Sequence, residues 1–287
     1  MCSDHLMPWS ERQGHSGFAL SWLGAAMATT GLPFGVVNAP GFRYHPVVIA
    51  QAAATLQQMF PDRFWIAIGS GEALNEHITG DPWPSKFERN ERLLDCATVM
   101  RRLWAGETVT HRGHIDVVSA RLYSLPDRPP RLIGAALTEA TAEWMGGWAD
   151  GLITVATPPE KLKPVLEAFR RGGGKGKPVL AQAKISWART DEEALAGAMD
   201  QWSTNVFESS ICSDLSMPAD FEKLANAVTA DQIRRAVRVS SDLQQHIDWI
   251  RADRDLGITE LYLHNVNRDQ RGFIDVFARE VLPAFRG

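Results

Sequence analysis

An α/β fold, in which a parallel sheet is wrapped by helices, is predicted by three features of this 287-residue chain. Short apolar, β-branched runs alternate with longer helix-like stretches along nearly its whole length, as they do when parallel strands are joined by helical crossovers. The run Phe64-Trp65-Ile66-Ala67-Ile68 passes without a break into Gly69-Ser70-Gly71-Glu72-Ala73-Leu74-Asn75-Glu76. A buried strand thus ends in a loop carrying carboxylates, the place where parallel α/β enzymes keep their chemistry. The third feature is size: 45% hydrophobic residues over this length fill one large core. Barrels of this class commonly use such a length as one unit, so a single domain spanning 1–287 is expected.

In chain order, apolar β-branched runs predict strands at 34–37, 64–68, 131–135, 151–154, 179–186 and 260–264. Helical periodicity predicts helices at 18–29, 46–59, 86–104, 139–148, 159–171, 191–204, 242–256 and 269–285. Pro46 suits a first helical position, where a missing N–H costs nothing, and Asp191 and Asp242 suit acidic first turns. Within 106–130 the pattern becomes Thr108-Val109-Thr110-His111, a turn at Arg112-Gly113, then Ile115-Asp116-Val117, which predicts an inserted β-hairpin. A second excursion, about 205–240, contains Pro218 and mixed polarity and is expected to be helical. Met1-Cys2-Ser3-Asp4-His5 reads as the end of a strand followed by a functional loop, which leaves the strand count one βα unit short of eight. No internal repeat or low-complexity tract is present.

Other glycine loops are excluded by spacing. A dinucleotide fingerprint requires a third glycine where this chain has Leu74. The cluster Gly172-Gly173-Gly174-Lys175-Gly176-Lys177 lacks the phosphate-gripping spacing and is read as a helix stop and flexible turn.

Net charge of -4 and a pI near 6.1, with no basic run interleaved with aromatics, give no reason to expect a nucleic-acid partner. No apolar run approaches the roughly 20 residues of a spanning helix, and Ser3, Asp4 and His5 interrupt any signal-peptide pattern, so no membrane partner and a cytoplasmic location are expected. Cys2, Cys96 and Cys212 are odd in number and far apart, which signals neither a disulfide framework nor a zinc cluster. His111 and His114 flank the hairpin turn with no carboxylate or thiol expected to complete a site, and no metal is expected.

The residues alone leave several roles open. Glu72 could titrate in a cleft or cap the next helix, His5 could act in catalysis or cap a strand end, and Trp9 could line a site or belong to the core. Several motifs then converge. Ser3-Asp4-His5 with Pro8-Trp9, Phe42-Arg43-Tyr44-His45-Pro46 with Ile49-Ala50-Gln51-Ala52, and the octapeptide from Gly69 to Glu76 resemble the luciferase-like monooxygenase family. The similarity continues at Trp83-Pro84, Glu88-Arg89, Leu103-Trp104, Ala149-Asp150-Gly151 and Phe277-Ala278-Arg279-Glu280-Val281-Leu282-Pro283, and points to the branch resembling F420-dependent glucose-6-phosphate dehydrogenase.

That resemblance implies a (β/α)8 barrel of the TIM type, here lacking its first βα unit, that holds F420 or FMN and transfers hydride to or from a small organic substrate. An FMN-dependent monooxygenase and a non-catalytic binding barrel are the alternatives. It implies acid/base work for His5, a proton relay for Glu72 and a place beside the reacting centre for Trp9. Asp4, Val36, Val37, Ala39, Ser70, Gly71, Asn75, Gly134, Ala135 and Ala136 are the implied cofactor contacts, and a homodimer is implied as well. A non-proline cis bond is expected at Val36-Val37, where it would cost about 3 kcal/mol. His45 and His264 are expected to be supporting or structural, and Glu76 and His77 lining residues. The pattern departs at Val155 and Pro158, where the branch carries a threonine and a lysine for a sugar phosphate, at Ala39, a threonine in the branch, and at Leu137, which ends the small-residue segment. Those changes argue against glucose 6-phosphate as substrate.

Overall fold

The computed structural model describes residues 1–285. Ten strands form: β1 (Cys2–Ser3), β2 (Phe34–Asn38), β3 (Phe64–Ile68), β4 (Val109–Arg112), β5 (Asp116–Ala120), β6 (Arg131–Ala135), β7 (Gly151–Val155), β8 (Val179–Ser186), β9 (Arg238–Val239) and β10 (Glu260–Asn265). Eight of them make one parallel sheet in the order β1-β2-β3-β6-β7-β8-β10, with β9 pairing the carboxyl end of β8. β1 and β10 end the path, and among the described residues no pairing joins them. The sheet is therefore curled but not closed, in line with the strand count read from the sequence.

Both faces of this sheet are covered, which is why its strands read as nearly continuous apolar runs. One face carries Trp65, Ala67, Ile133, Ile153 and Leu180, packed with Val37, Ala135 and Tyr262 in the barrel interior. The alternate residues, among them Val36, Ile66, Leu132 and Leu152, pack outward against the helices. The helical excursion separates into Ser209–Asp214, Pro218–Ala225 and Ala230–Ala236, and the last of these packs Ile233 with Trp202 and Val266 in a small core of its own. No described helix is long and apolar enough to cross a membrane.

Four expectations are corrected. The Val36–Val37 bond is trans, since no cis peptide occurs among the described residues. Val36 and Val37 pair with Cys2 and Ser3 on one side and with Ile66 and Ala67 on the other, so regular extended backbone holds them. The hairpin turns one residue later than expected, because Arg112 still pairs with Asp116 and adds an ion pair of 2.9 Å. A carboxylate does meet this hairpin: Asp95 of helix Lys86–Trp104 accepts from the His114 N–H at 2.8 Å. Its Oδ2 also lies 3.2 Å from His111 Nε2, within ion-pair distance but not aligned as a hydrogen bond. Asp95 thus docks the hairpin, and among the described residues no group of three or more His, Cys, Asp or Glu side chains is placed to hold a metal.

The glycine cluster is the fourth correction, being a close-packed crossing rather than a flexible turn. A Cβ on Gly172 would fall 1.7 Å from the Glu143 carbonyl oxygen, and Gly173 sits at φ 107°. Gly146 likewise lies against Phe169 O, so helix Glu139–Gly146 meets the end of helix Pro159–Phe169 backbone to backbone. Gly172→Ala is expected to destabilise the fold by about 1–3 kcal/mol, read as a lowered denaturant midpoint, because the obstructing atom is main chain and cannot rotate away.

Candidate active site

The strand ends bring the N-terminal segment and the octapeptide loop together. Asp4 N–H donates to Val37 O at 2.9 Å, carrying the pairing of β1 one residue further, and Gly69 N–H donates to Asn38 O at 3.0 Å. The chain then turns through Gly71 at φ 80°, where a Cβ would lie 3.2 Å from Glu76 Cγ and from the Trp83 ring. Glu72 precedes the short helix Ala73–Glu76, and its carbonyl, not its side chain, accepts the N–H groups of Asn75 and Glu76. Its carboxylate is thereby left free for the cleft, which removes the capping role.

His5 Nε2 lies 3.7 Å from Glu72 Oε2. Asn75 holds the imidazole from the other side: its Oδ1 accepts from the N–H of Leu6 and Met7 at 2.9 and 3.4 Å, which turns its amide nitrogen toward His5 Nδ1 at 3.2 Å. Nδ1 is thus the acceptor in the neutral ring, and Nε2, facing Glu72, carries the hydrogen. Trp9 stacks obliquely on His5 with centroids 5.3 Å apart and meets Phe221 edge-on at 5.0 Å. Because Asn75 serves both the turn and the ring, Asn75→Leu is expected to slow turnover about 10–100-fold. The same change should lower stability by about 1–3 kcal/mol through stranded N–H groups, measured by steady-state kinetics and denaturation on one preparation.

Beneath this pair runs a buried ionic network. The Arg43 guanidinium contacts Asp4 O and Oδ2 at 2.8 and 3.4 Å and Glu76 Oε1 at 3.3 Å, while Arg43 N–H donates to Glu76 Oε2 at 3.0 Å. Asn38 Nδ2 donates to Asp4 Oδ2 at 2.7 Å. Two acceptors, Asp4 Oδ1 and Asn38 Oδ1, are buried here without a protein donor.

The environment moves the two facing groups in opposite directions. Burial, helped by the Arg43 charge and opposed by a hydrogen bond to the Met7 backbone, lowers the His5 pKa to about 4. Burial, with the Glu76 charge adding and Lys184 opposing, raises Glu72 to about 7. Both side chains keep some access to solvent, 20% and 34% exposed. At neutral pH the imidazole is uncharged and the carboxyl is near its midpoint.

The sequence matches the luciferase-like monooxygenase family over residues 1–260. The chain belongs to that family. It is 35% identical to the F420-dependent glucose-6-phosphate dehydrogenase of Beutenbergia cavernae, the alignment covering 99% of this chain and 88% of the relative. Identity to the enzyme of the same name from Microbacterium testaceum is 36%, with the same coverage. A solved F420-dependent secondary alcohol dehydrogenase, in complex with an F420–acetone adduct, matches with a TM-score of 0.92 at 30% identity over 99% of this chain and 89% of that one. The F420-dependent tetrahydromethanopterin reductase of Methanopyrus kandleri shares the fold at a TM-score of 0.76 and 18% identity, over 99% and 90% of the two chains.

Within this luciferase-like frame the remaining expected contacts divide by strand face. Val37 and Ala135 face the interior, Ala39 lies against Gly71, and Gly69 against Ala135. Ser70 accepts a hydrogen bond from Lys86. Val36 and Ala136 instead pack into the outer core, and a Cβ on Gly134 would strike Met145, so helix packing explains that glycine. Glu76 and His77 do not present free groups: one pairs with Arg43, and the other bonds Ala73 O at 2.8 Å. His45 caps helix Pro46–Met59 and contacts Asp116 O at 3.0 Å.

Sequence reasoning missed Arg43 and Asn38 as the supports of Asp4, and Phe221 behind Trp9. It also missed Lys184, whose charge opposes the rise of the Glu72 pKa.

Proposed function

We propose that this chain is an F420-dependent oxidoreductase that moves a hydride between the carbinol carbon of an organic substrate and bound F420, with His5 and Glu72 handling the protons. The observation that carries the proton assignment is the facing of those two side chains at 3.7 Å with their proton affinities shifted apart. The choice of F420 is supported by relatives at 30% identity or more over almost the whole chain.

The residues fit such a cofactor. The buried, unpartnered acceptors Asp4 Oδ1 and Asn38 Oδ1 suit the ring N–H of a deazaflavin, and Ala39, Gly69, Gly71 and Ala135 leave a floor without bulky side chains. When bound, F420 supplies a two-electron hydride acceptor or donor. The protein supplies proton management. A substrate hydroxyl roughly 2.8 Å from both His5 Nε2 and Glu72 Oε2 spans the gap between them. Toward the alcohol, protonated Glu72 gives its proton to the substrate oxygen, which the His5 Nε2–H orients by a hydrogen bond. Toward the ketone, the ionised Glu72, titrating about 7, accepts the hydroxyl proton while the His5 Nε2–H holds the substrate oxygen by a hydrogen bond. Trp9, backed by Phe221, closes the apolar side of the cleft and excludes water.

Titration with F420 and with FMN, followed by fluorescence, tests the reading. F420 is expected to bind and to be reduced by a secondary alcohol without oxygen consumption, whereas binding of FMN alone, with oxygen uptake, rejects it. A homodimer in the cytoplasm belongs to the same reading, and light scattering giving twice the 31.8 kDa chain mass supports the dimer.

A further inference from the structure

One cation of the cleft takes no part in the chemistry above. Lys184 stands near the carboxyl end of β8, in register with His264 of β10, on the same inward face as Gln182 and Leu180. Among the described residues its Nζ makes no ion pair or hydrogen bond, and it lies 5.4 Å from the centroid of the Trp202 ring. Other cations around the cleft have ionic or hydrogen-bonding partners: Arg43 has Asp4 and Glu76, Arg89 has Asp214, and Lys86 has Ser70. His5 and Glu72 follow the carboxyl ends of β1 and β3, so Lys184, inward-facing near the carboxyl end of β8, lies at the same end of the barrel. Burial lowers the Lys184 pKa, and an anionic ligand group beside the amine favours its charged form in return.

The surroundings limit what the anion can be. Next to Lys184, His264 accepts from Gln182 Nε2 at 3.2 Å through Nδ1, so its Nε2–H is a free neutral donor. Burial, reinforced by the Lys184 charge, lowers His264 to about 4 and keeps it uncharged. Val155, which pairs with Gln182 in the neighbouring strand, and Pro158 bring no charge. One cation beside one neutral donor matches a group with a single negative charge and two acceptor oxygens. A phosphate, with a charge near −2 and three oxygens, would be under-served.

We propose that the substrate carries a carboxylate that pairs with Lys184 while its carbinol oxygen lies between His5 and Glu72, so that hydroxy acids and their keto acids form the substrate class. This rests on the oxidoreductase reading for the reaction, but the anion site can be tested without it. Calorimetric titration of the F420-free and F420-loaded protein with isobutyrate and with isobutyramide compares two ligands of the same shape and different charge. Isobutyrate is expected to bind at least tenfold tighter than the amide. The ratio should fall to about one in Lys184→Met and in Lys184→Gln and persist in Lys184→Arg, the fold of each variant being checked by circular dichroism. A ratio near one in the unaltered protein, or a ratio that survives Lys184→Met and Lys184→Gln, overturns the proposal. If F420 fails to bind, the oxidoreductase reading falls while the isobutyrate ratio still decides the anion site.

Discussion

Glu72→Gln is expected to lower alcohol-driven F420 reduction by about 10²–10⁴-fold, the usual worth of a positioned proton-transfer group, while F420 still binds. The substitution keeps the side chain's shape and removes its titration. In the unaltered enzyme, Glu72 accepts the hydroxyl proton only when ionised, so alcohol-driven turnover should fall as pH drops through about 7. His5 stays uncharged down to about pH 4, so it adds no limb near 7. The Gln variant should lose the limb near 7. A structural readout accompanies the kinetic one. Glu72 binds its proton more tightly folded than unfolded, so its contribution to stability is complete below its ordinary pKa of 4.5 and is lost as pH rises through about 7. Denaturant midpoints of the unaltered protein should therefore decline across that window relative to Glu72→Gln. Equal slopes together with undiminished turnover would remove Glu72 from the mechanism.

The parallel strands were legible because they are buried on both faces, and β3, β6 and β8 end where their apolar runs end. The same logic fails for the helical excursion. Its three helices are short and polar outside, and only local caps mark them, such as the capping box from Thr229 to Gln232. The two residues of β9 carry no periodicity at all. For the site, the facing of His5 and Glu72 had been expected from motif alone, since no spacing rule brings residues 5 and 72 together. Lys184 was hidden differently. In Ala181-Gln182-Ala183-Lys184 the polar residues alternate with alanine in a strand covered on both sides, which places both polar groups on the inner face near its carboxyl end. That alternation was the available signal. Asn75 has a duty the motif does not reveal, because hydrogen-bond partners 68 to 70 residues away cannot be read from a linear motif.

Arg43→Met should be the most damaging substitution for stability, costing about 3–5 kcal/mol, because it leaves two buried carboxylates facing each other without their cation. The side chains of Arg43, Asp4 and Glu76 are 5%, 0% and 1% exposed, so water cannot replace the guanidinium. Methionine approximates the lost volume, so the cost is one of charge and hydrogen bonding rather than of a cavity. Its pH dependence gives the mechanism away. Burial already raises the Glu76 pKa against the opposing pull of Arg43, and removing that pull must raise it further. A carboxyl whose folded pKa lies above its unfolded value contributes most below the unfolded value and loses that contribution as pH rises through the folded one. The deficit of Arg43→Met should therefore be larger at pH 8 than at pH 5. Adding Glu76→Gln should return part of the loss and flatten its pH dependence, whereas a deficit independent of pH in both variants would mean that Arg43 acts by packing. Because Arg43 also holds Asp4, next to His5, and Glu76, in the same turn as Glu72, the network fixes the proposed proton-transfer pair from below. F420 affinity should weaken in step with stability across these variants.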